Sequence, residues 1–272
     1  MEKIIENIHD EPIDFRDLFV KYFSKWPIFV IAVALALFIA FLFNKIKIPV
    51  YNVRTTILIT EEENRNDIRS SDILNNLDLF PITENFENEI YIFKSTPIIK
   101  SALGRLNFNT SYYSRQNFGY KNKELYDLAP FIVFFDKEQA QPVNLEFHIK
   151  FINDKQFQIK AKGKDVKLYN YSTNTVVDVI DKIHINKITS FDEKIEGDYF
   201  NFEIVFNHMY LTNELRKNRY YFKFNNINDL IYVYQNNIQI EPVMEDVTLA
   251  KIFIETTNVN KAKDLLRALT QE

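Results

Sequence analysis

The chain contains one long apolar run without a charge, Trp26-Pro-Ile-Phe-Val-Ile-Ala-Val-Ala-Leu-Ala-Leu-Phe-Ile-Ala-Phe-Leu-Phe43. At about 1.5 Å per residue it makes a helix about 27 Å long, close to the ~30 Å hydrocarbon core of a bilayer. A core helix shows some polar face over five turns; this run shows none, so its expected surrounding is lipid. Hydrocarbon offers no water to backbone groups, which requires the segment to be helical. Pro27 falls in the first turn, where a missing N–H costs nothing. Trp26 suits one interface, and Lys25, Lys45 and Lys47 can reach headgroups. The predicted anchor residues are Trp26, Pro27, Phe29, Leu35, Leu37, Phe38, Phe41 and Phe43. A signal peptide would have a short charged start and a small-residue cleavage site. Here 25 residues precede the run and Asn44-Lys-Ile-Lys-Ile-Pro49 follows it, so the segment reads as a retained anchor.

On either side the period changes. Residues 1–25 form a tail in which Ile13, Phe15, Leu18, Phe19, Tyr22 and Phe23 make an apolar face behind Asp14, an interfacial helix by pattern. After Pro49, Tyr51, Val53, Thr55, Ile57 and Ile59 alternate with their neighbours as a strand, followed by a polar loop from Glu61 to Asp72. Phe86, Ile90 and Phe93 then recur at helical spacing. Thr96 as N-cap and Pro97 open a second helix striped by Ile99, Ala102, Leu103 and Leu106. From about 111 to 218 the period is two. Strands are predicted at 131–135, 143–151, 156–162, 166–169, 175–179 and 199–206, with turns at Asn153-Asp154, Lys162-Gly163-Lys164 and Glu196-Gly197-Asp198. Tyr220 to Phe224 reads as a strand, Asn228 to Tyr234 as a short helix, and 238–243 with 247–255 as a hairpin-like pair. Asn260 caps a last helix whose Ala262, Leu265, Leu266 and Leu269 share one face. That helix reads as cut off by Glu272 without a C-cap, the mark of a truncated chain.

The predicted fold class is therefore α+β. It has a tail (1–25), one transmembrane helix (26–43), a mixed base domain (50–110 with 219–272) and an inserted β-sandwich-like module (111–218). Leu265, Leu266 and Leu269 are the candidate helix-packing or oligomer surface.

Composition narrows the function. Apolar residues at 46% and aromatics at 15% exclude a disordered tether, and a net charge of −4 argues against nucleic acid as a partner. With no cysteine there is no disulfide, thiolate metal site or cysteine nucleophile, and four glycines leave little for a phosphate loop. His9, His148, His184 and His208 show no metalloprotease spacing, and neither a G-x-S-x-G elbow nor a Walker A loop occurs. No catalytic, metal or cofactor-binding residue is assigned, and no cofactor is expected.

Ile13-Asp-Phe-Arg-Asp-Leu-Phe, Lys25-Trp26 entering the span and Pro49-Val-Tyr51 opening a strand resemble the chain-length-determinant domain of Wzz/Wzc-type polysaccharide co-polymerases. Phe93-Lys-Ser-Thr-Pro-Ile-Ile-Lys-Ser-Ala-Leu103 fits the same pattern. Tyr221 to Ile227, Asn237 to Val243, Lys251 to Thr256 and Asn258 to Leu269 are similar to the form that precedes a bacterial tyrosine autokinase. The resemblance implies a non-enzymatic, inner-membrane, homo-oligomeric subunit. It would work with a polysaccharide polymerase or outer-membrane export protein, and with a cytoplasmic tyrosine kinase module supplied elsewhere. It also places the bulk of the chain in the periplasm, where the size of the translocated part agrees and the flanking charges nearly tie. Family members carry a second span, and no second apolar run is present in this sequence. A membrane-anchored glycan-binding or sensor domain and a structural part of an envelope transport complex are the alternatives; oligomeric state separates the first from the co-polymerase.

Overall fold

The computed structural model describes residues 25–58, 82–116, 121–207, 219–244 and 249–272. The interfacial helix expected at 13–23, the loop at 61–72, His9 and His208 lie outside them. The chain divides into two units at Lys47/Ile48.

The first unit contains α1 (Trp26–Ile46), with Pro27 in its opening turn and Lys45 in its last. It runs three residues past the apolar stretch, because nothing in Asn44-Lys45-Ile46 opposes a helix. The Lys47 N–H closes it on the Phe43 carbonyl at 3.1 Å.

The second unit mixes helices and antiparallel sheets, as the pattern predicts. Its α/β layer is the sheet β1 (Tyr51–Leu58), β13 (Leu249–Thr256) and β12 (Ile238–Pro242), in that order. Tyr51 pairs with Thr256 and Leu58 with Leu249, so the start of this unit is closed by the end of the chain. Among the described residues four helices accompany the sheet: α2 (Ile82–Phe93), α3 (Thr96–Gly104), α4 (Ile227–Asn237) and α5 (Val259–Leu269). In α4, Ile227, Ile231 and Tyr234 are buried at the spacing of one helix face, behind Asn226, whose side chain accepts from the Asn228 N–H at 3.0 Å. Two caps differ from expectation by one or two residues. Ser95 rather than Thr96 precedes α3, and Asn258 rather than Asn260 caps α5 by accepting from the Lys261 N–H at 3.1 Å. The extended backbone needed at an N-cap falls at Asn258, whereas Asn260 is already helical. Helix α5 also stops with a cap: it ends at Leu269, and the Thr270 N–H bonds to the Leu266 carbonyl at 3.0 Å. The expectation of a helix without a C-cap is thereby corrected.

The β-rich part holds two more sheets among the described residues. The larger runs β3 (Lys121–Glu124), β2 (Thr110–Gln116), β11 (Arg219–Phe224), β6 (Phe147–Phe151), β7 (Gln156–Asn170) and β5 (Gln141–Pro142), with β8 (Thr175–Ser190) also paired to β7. The smaller runs β4 (Phe131–Phe135), β10 (Phe200–Phe206) and β9 (Lys194–Gly197). Phenylalanine fills the space between them. Phe202 from the small sheet meets Phe147, Phe222 and Phe224 of the large one at 5.3, 5.5 and 5.5 Å, and Phe131 meets Tyr112 at 5.6 Å. Edge-on geometry dominates, the arrangement aromatic quadrupoles favour, and each ring buried contributes about 1.5–3 kcal/mol.

Two differences from the pattern concern pairing. The strand Arg219–Phe224, which periodicity groups with the base, is hydrogen-bonded between β2 and β6 in the middle of the large sheet. Strands predicted separately at 156–162 and 166–169 are one strand, since Lys162-Gly163-Lys164 is not a turn. Gly163 is needed for packing: an added Cβ there would meet Val166 Cγ2 at 2.6 Å and Leu145 Cδ1 at 2.8 Å. Asn225 joins the β-rich part internally, its side-chain amide donating to the Phe108 carbonyl at 2.7 Å and to Ser111 Oγ at 2.8 Å, while Tyr171 donates to its carbonyl at 2.7 Å.

Candidate functional site

Every predicted anchor residue lies on α1. Trp26, Phe29, Leu35, Leu37, Phe38, Phe41 and Phe43 are each more than half exposed, and none of the window Trp26–Lys45 is buried. Keeping a Leu or Phe in water instead of an apolar medium forgoes about 1.5–3 kcal/mol per side chain. A helix presenting such residues all round is consistent with a membrane anchor, which its length and composition suit. At its end Lys45 Nζ lies 5.9 Å from the Phe41 ring centroid, an ammonium leaning on the last apolar turn.

Leu265, Leu266 and Leu269 are placed differently. They are 0, 3 and 1% exposed, inside the chain's own core against α3, β1 and β13. The stripe is filled by intrachain packing. The other side of α5 is also held. Lys261 pairs with Glu124, lies 5.0 Å from the Phe108 ring centroid, and shares Glu124 with Asn258, which donates to its carbonyl at 3.3 Å. Asp264 accepts from the Tyr126 hydroxyl at 2.9 Å, and burial together with that carboxylate pushes the phenol's pKa up. Helix α5 is thus a clamp between the α/β layer and the β3 end of the large sheet.

A polar constellation absent from the sequence prediction lies on the outer face of the large sheet. Glu146 gathers Arg115 Nη2 at 3.1 Å, His148 Nε2 at 3.3 Å and Lys223 Nζ at 3.3 Å, donors from three different strands. Beneath them Tyr113 and Tyr221 stack at 4.8 Å, with the Arg115 guanidinium 5.2 Å from the Tyr221 ring centroid. Burial, then Glu146, pushes the Tyr221 phenol up to about 12. Burial lowers the His148 pKa despite Glu146, with Arg115 and Lys223 adding to the depression, so the imidazole is the neutral partner in the group. His184 is exposed on β8. Among the described residues no group of three His, Asp or Glu side chains comes together as a metal site. The only sequence signal for this face is the run of cations at every second position from Lys160 to Lys164.

Residues 11–106 match the family described as Wzz, chain length determinant protein. This stretch is a Wzz domain. No curated protein matches the chain. Among the described residues the Wzz domain comprises α1, β1, α2 and α3. Its strand β1 takes its hydrogen-bond partner from β13, far beyond the matched stretch. Membership of this domain family implies regulation of polysaccharide chain length, a non-catalytic task, and the membrane-length helix lies within the matched residues.

Proposed function

We propose that the chain is an inner-membrane polysaccharide co-polymerase subunit that governs the length or export of a capsular or exopolysaccharide. The observation that carries this reading is the Wzz match over 11–106, which includes the helix suited to a membrane anchor. The tail before Trp26 faces the cytoplasm and the residues after Asn44 the periplasm. In this reading the α/β layer is the base and the β-rich part, from Thr110 through Phe224, is the inserted module. The chain performs no bond-making itself. It acts as one member of a homo-oligomer beside a polymerase or an outer-membrane export protein, and a cytoplasmic tyrosine kinase module carried elsewhere drives assembly and disassembly. Weak lateral contacts suffice, because confinement in the membrane raises effective concentration. With the leucine stripe of α5 already packed, those contacts belong to other surfaces.

The test is the length distribution of the host's surface polysaccharide on a gel. Deletion of the gene is expected to shift it, and the reintroduced wild-type chain to restore it. Mass measured in nanodiscs should exceed that of one chain. An unchanged distribution together with a monomer would instead support the anchored glycan-binding or sensor reading.

A further inference from the structure

The outward face of the large sheet carries side chains aligned by the strand register. Tyr113 on β2 is opposite Tyr221 on β11, Tyr221 opposite His148 on β6, His148 opposite Lys160 on β7, and Lys160 opposite Asn186 on β8. At about 4.8 Å between strands this row is about 19 Å long. Beside it Lys162 is opposite His184 and Lys164 opposite Lys182.

The row runs into a cleft of about 690 Å³. Its origin is a gap in pairing. Strand β6 meets β7 only over Phe157–Lys160 and β5 meets it only at Leu168 and Tyr169, so the segment between has no strand beside it on that edge. Leu145 fills the floor over Gly163, and Asn144 and Asp165, both in the left-handed region at φ 60° and 52°, stand at the walls. Lys160, Lys162, Lys164 and Lys167 all line this space and are exposed.

Two features make this more than a solvated face. First, the charge is unbalanced: among the described residues no ion pair reaches those four lysines, and of the two acidic residues in the lining Glu146 is already shared by Arg115, His148 and Lys223, which leaves Asp165 alone against four ammonium groups. Gathering like charges in a concavity is unfavourable unless an anion enters, and it raises the local anion concentration. Second, the lysines repeat. Alternate residues on a strand stand about 7 Å apart on one face, a spacing that suits a polymer with recurring charge better than a single small anion. The Asn186 amide, whose oxygen accepts from Gln158 at 2.9 Å and whose N–H groups meet no acceptor among the described residues, and the His184 imidazole stand among the ammonium groups, whereas the Asn144 amide already donates to Asp229 at 3.1 Å. A flat lipid surface would meet protruding cations, whereas these line a recess.

We propose that the cleft and its adjoining row bind an acidic polysaccharide, with anionic substituents on Lys160, Lys162 and Lys164 and hydroxyls on the neighbouring Asn186 amide and His184 imidazole. This rests on the reading that the chain handles a polysaccharide, and it names the class: a polymer bearing negative charge.

The test uses the full chain in nanodiscs of zwitterionic lipid, titrated calorimetrically with a galacturonic acid hexamer and, separately, with maltohexaose. The acidic hexamer binds and the neutral one does not. The double substitution K160Q/K162Q weakens binding about tenfold or more, as expected for losing two charged contacts, while K187Q, on the same ribbon outside the cleft, leaves it unchanged. Equal binding of both hexamers, or wild-type binding by K160Q/K162Q with an unaltered circular dichroism spectrum, overturns the assignment. Binding to anionic phospholipid vesicles without binding the hexamer overturns it in favour of a membrane surface. The polysaccharide gel separates the two levels. If gene deletion shifts polymer length but the hexamer does not bind, only the cleft assignment fails. If deletion leaves length unchanged, the broader reading fails whatever the titration shows.

Discussion

Helices α1 and α5 both carry rows of leucine and put them to opposite uses. On α1, Leu35 and Leu37 are 57 and 66% exposed, and the surface around them is apolar in every direction. On α5, Leu265 and Leu269 are 0 and 1% exposed, and the opposite side holds Lys261 and Asp264, each bonded to a side chain from another part of the chain. A helix without a polar side calls for an apolar surrounding on every side, and with none of it buried in its own chain a membrane suits it. A striped helix declares only that a partner exists. The stripe on α5 suits a neighbouring subunit as well as an intrachain sheet, and pairing of β1 with β13 makes the sheet the partner.

The largest effect is expected from placing a charge in each leucine row. Leu265→Asp buries an unpaired carboxylate and should abolish the cooperative thermal transition of the folded unit. Leu37→Asp should leave that transition in place and impair membrane insertion, by about 3 kcal/mol for a charge at the centre of a span. Circular dichroism is the proper monitor, because the chain's one tryptophan, Trp26, lies on α1 and is blind to the rest. A shared response to both substitutions would break the comparison. Next in size is Lys261→Met. With only 14% of its side chain exposed, Glu124 would lose its partner at a cost of about 3 kcal/mol, read as a lowered urea midpoint.

How far these differences were legible follows the same logic. The span, β1, the hairpin of β12 with β13 and the alternation in the β-rich part are local patterns and can be read directly. Pairing is not local. The place of Tyr220–Phe224 between β2 and β6 depends on Phe147 and Tyr112, residues with no periodic relation to it. Gly163 reads as a turn because its reason, the Leu145 side chain lying across it, is 18 positions earlier in the chain. The Glu146 constellation is assembled in the same way from β2, β6 and β11, and no one of its members is unusual in its own segment.

Smaller effects refine the account. Asn258→Ala removes the N-cap of α5 and should cost about 1 kcal/mol, whereas Asn260→Ala, at a helical position, should cost less. Away from both helices, the depressed pKa of His148 gives a pH dependence of known sign. The folded state binds its proton less readily than the unfolded chain, so stability should fall as pH drops through the unfolded value near ~6.5. Partial exposure keeps this effect small. The thermal midpoint should decrease from pH 7.5 to 5.5 by less in His148→Gln than in the wild type. Equal decreases would assign the sensitivity to another group.

The most direct measurement of the central contrast is photolabelling of the wild-type chain in nanodiscs with a lipid-partitioning carbene reagent, followed by mapping of the peptides. Label is expected throughout the tryptic peptide Trp26–Lys45 and absent from residues 259–269. Label on Leu265, Leu266 or Leu269, or an unlabelled Trp26–Lys45, would contradict the assignment of lipid to the first helix and of the chain's own core to the last.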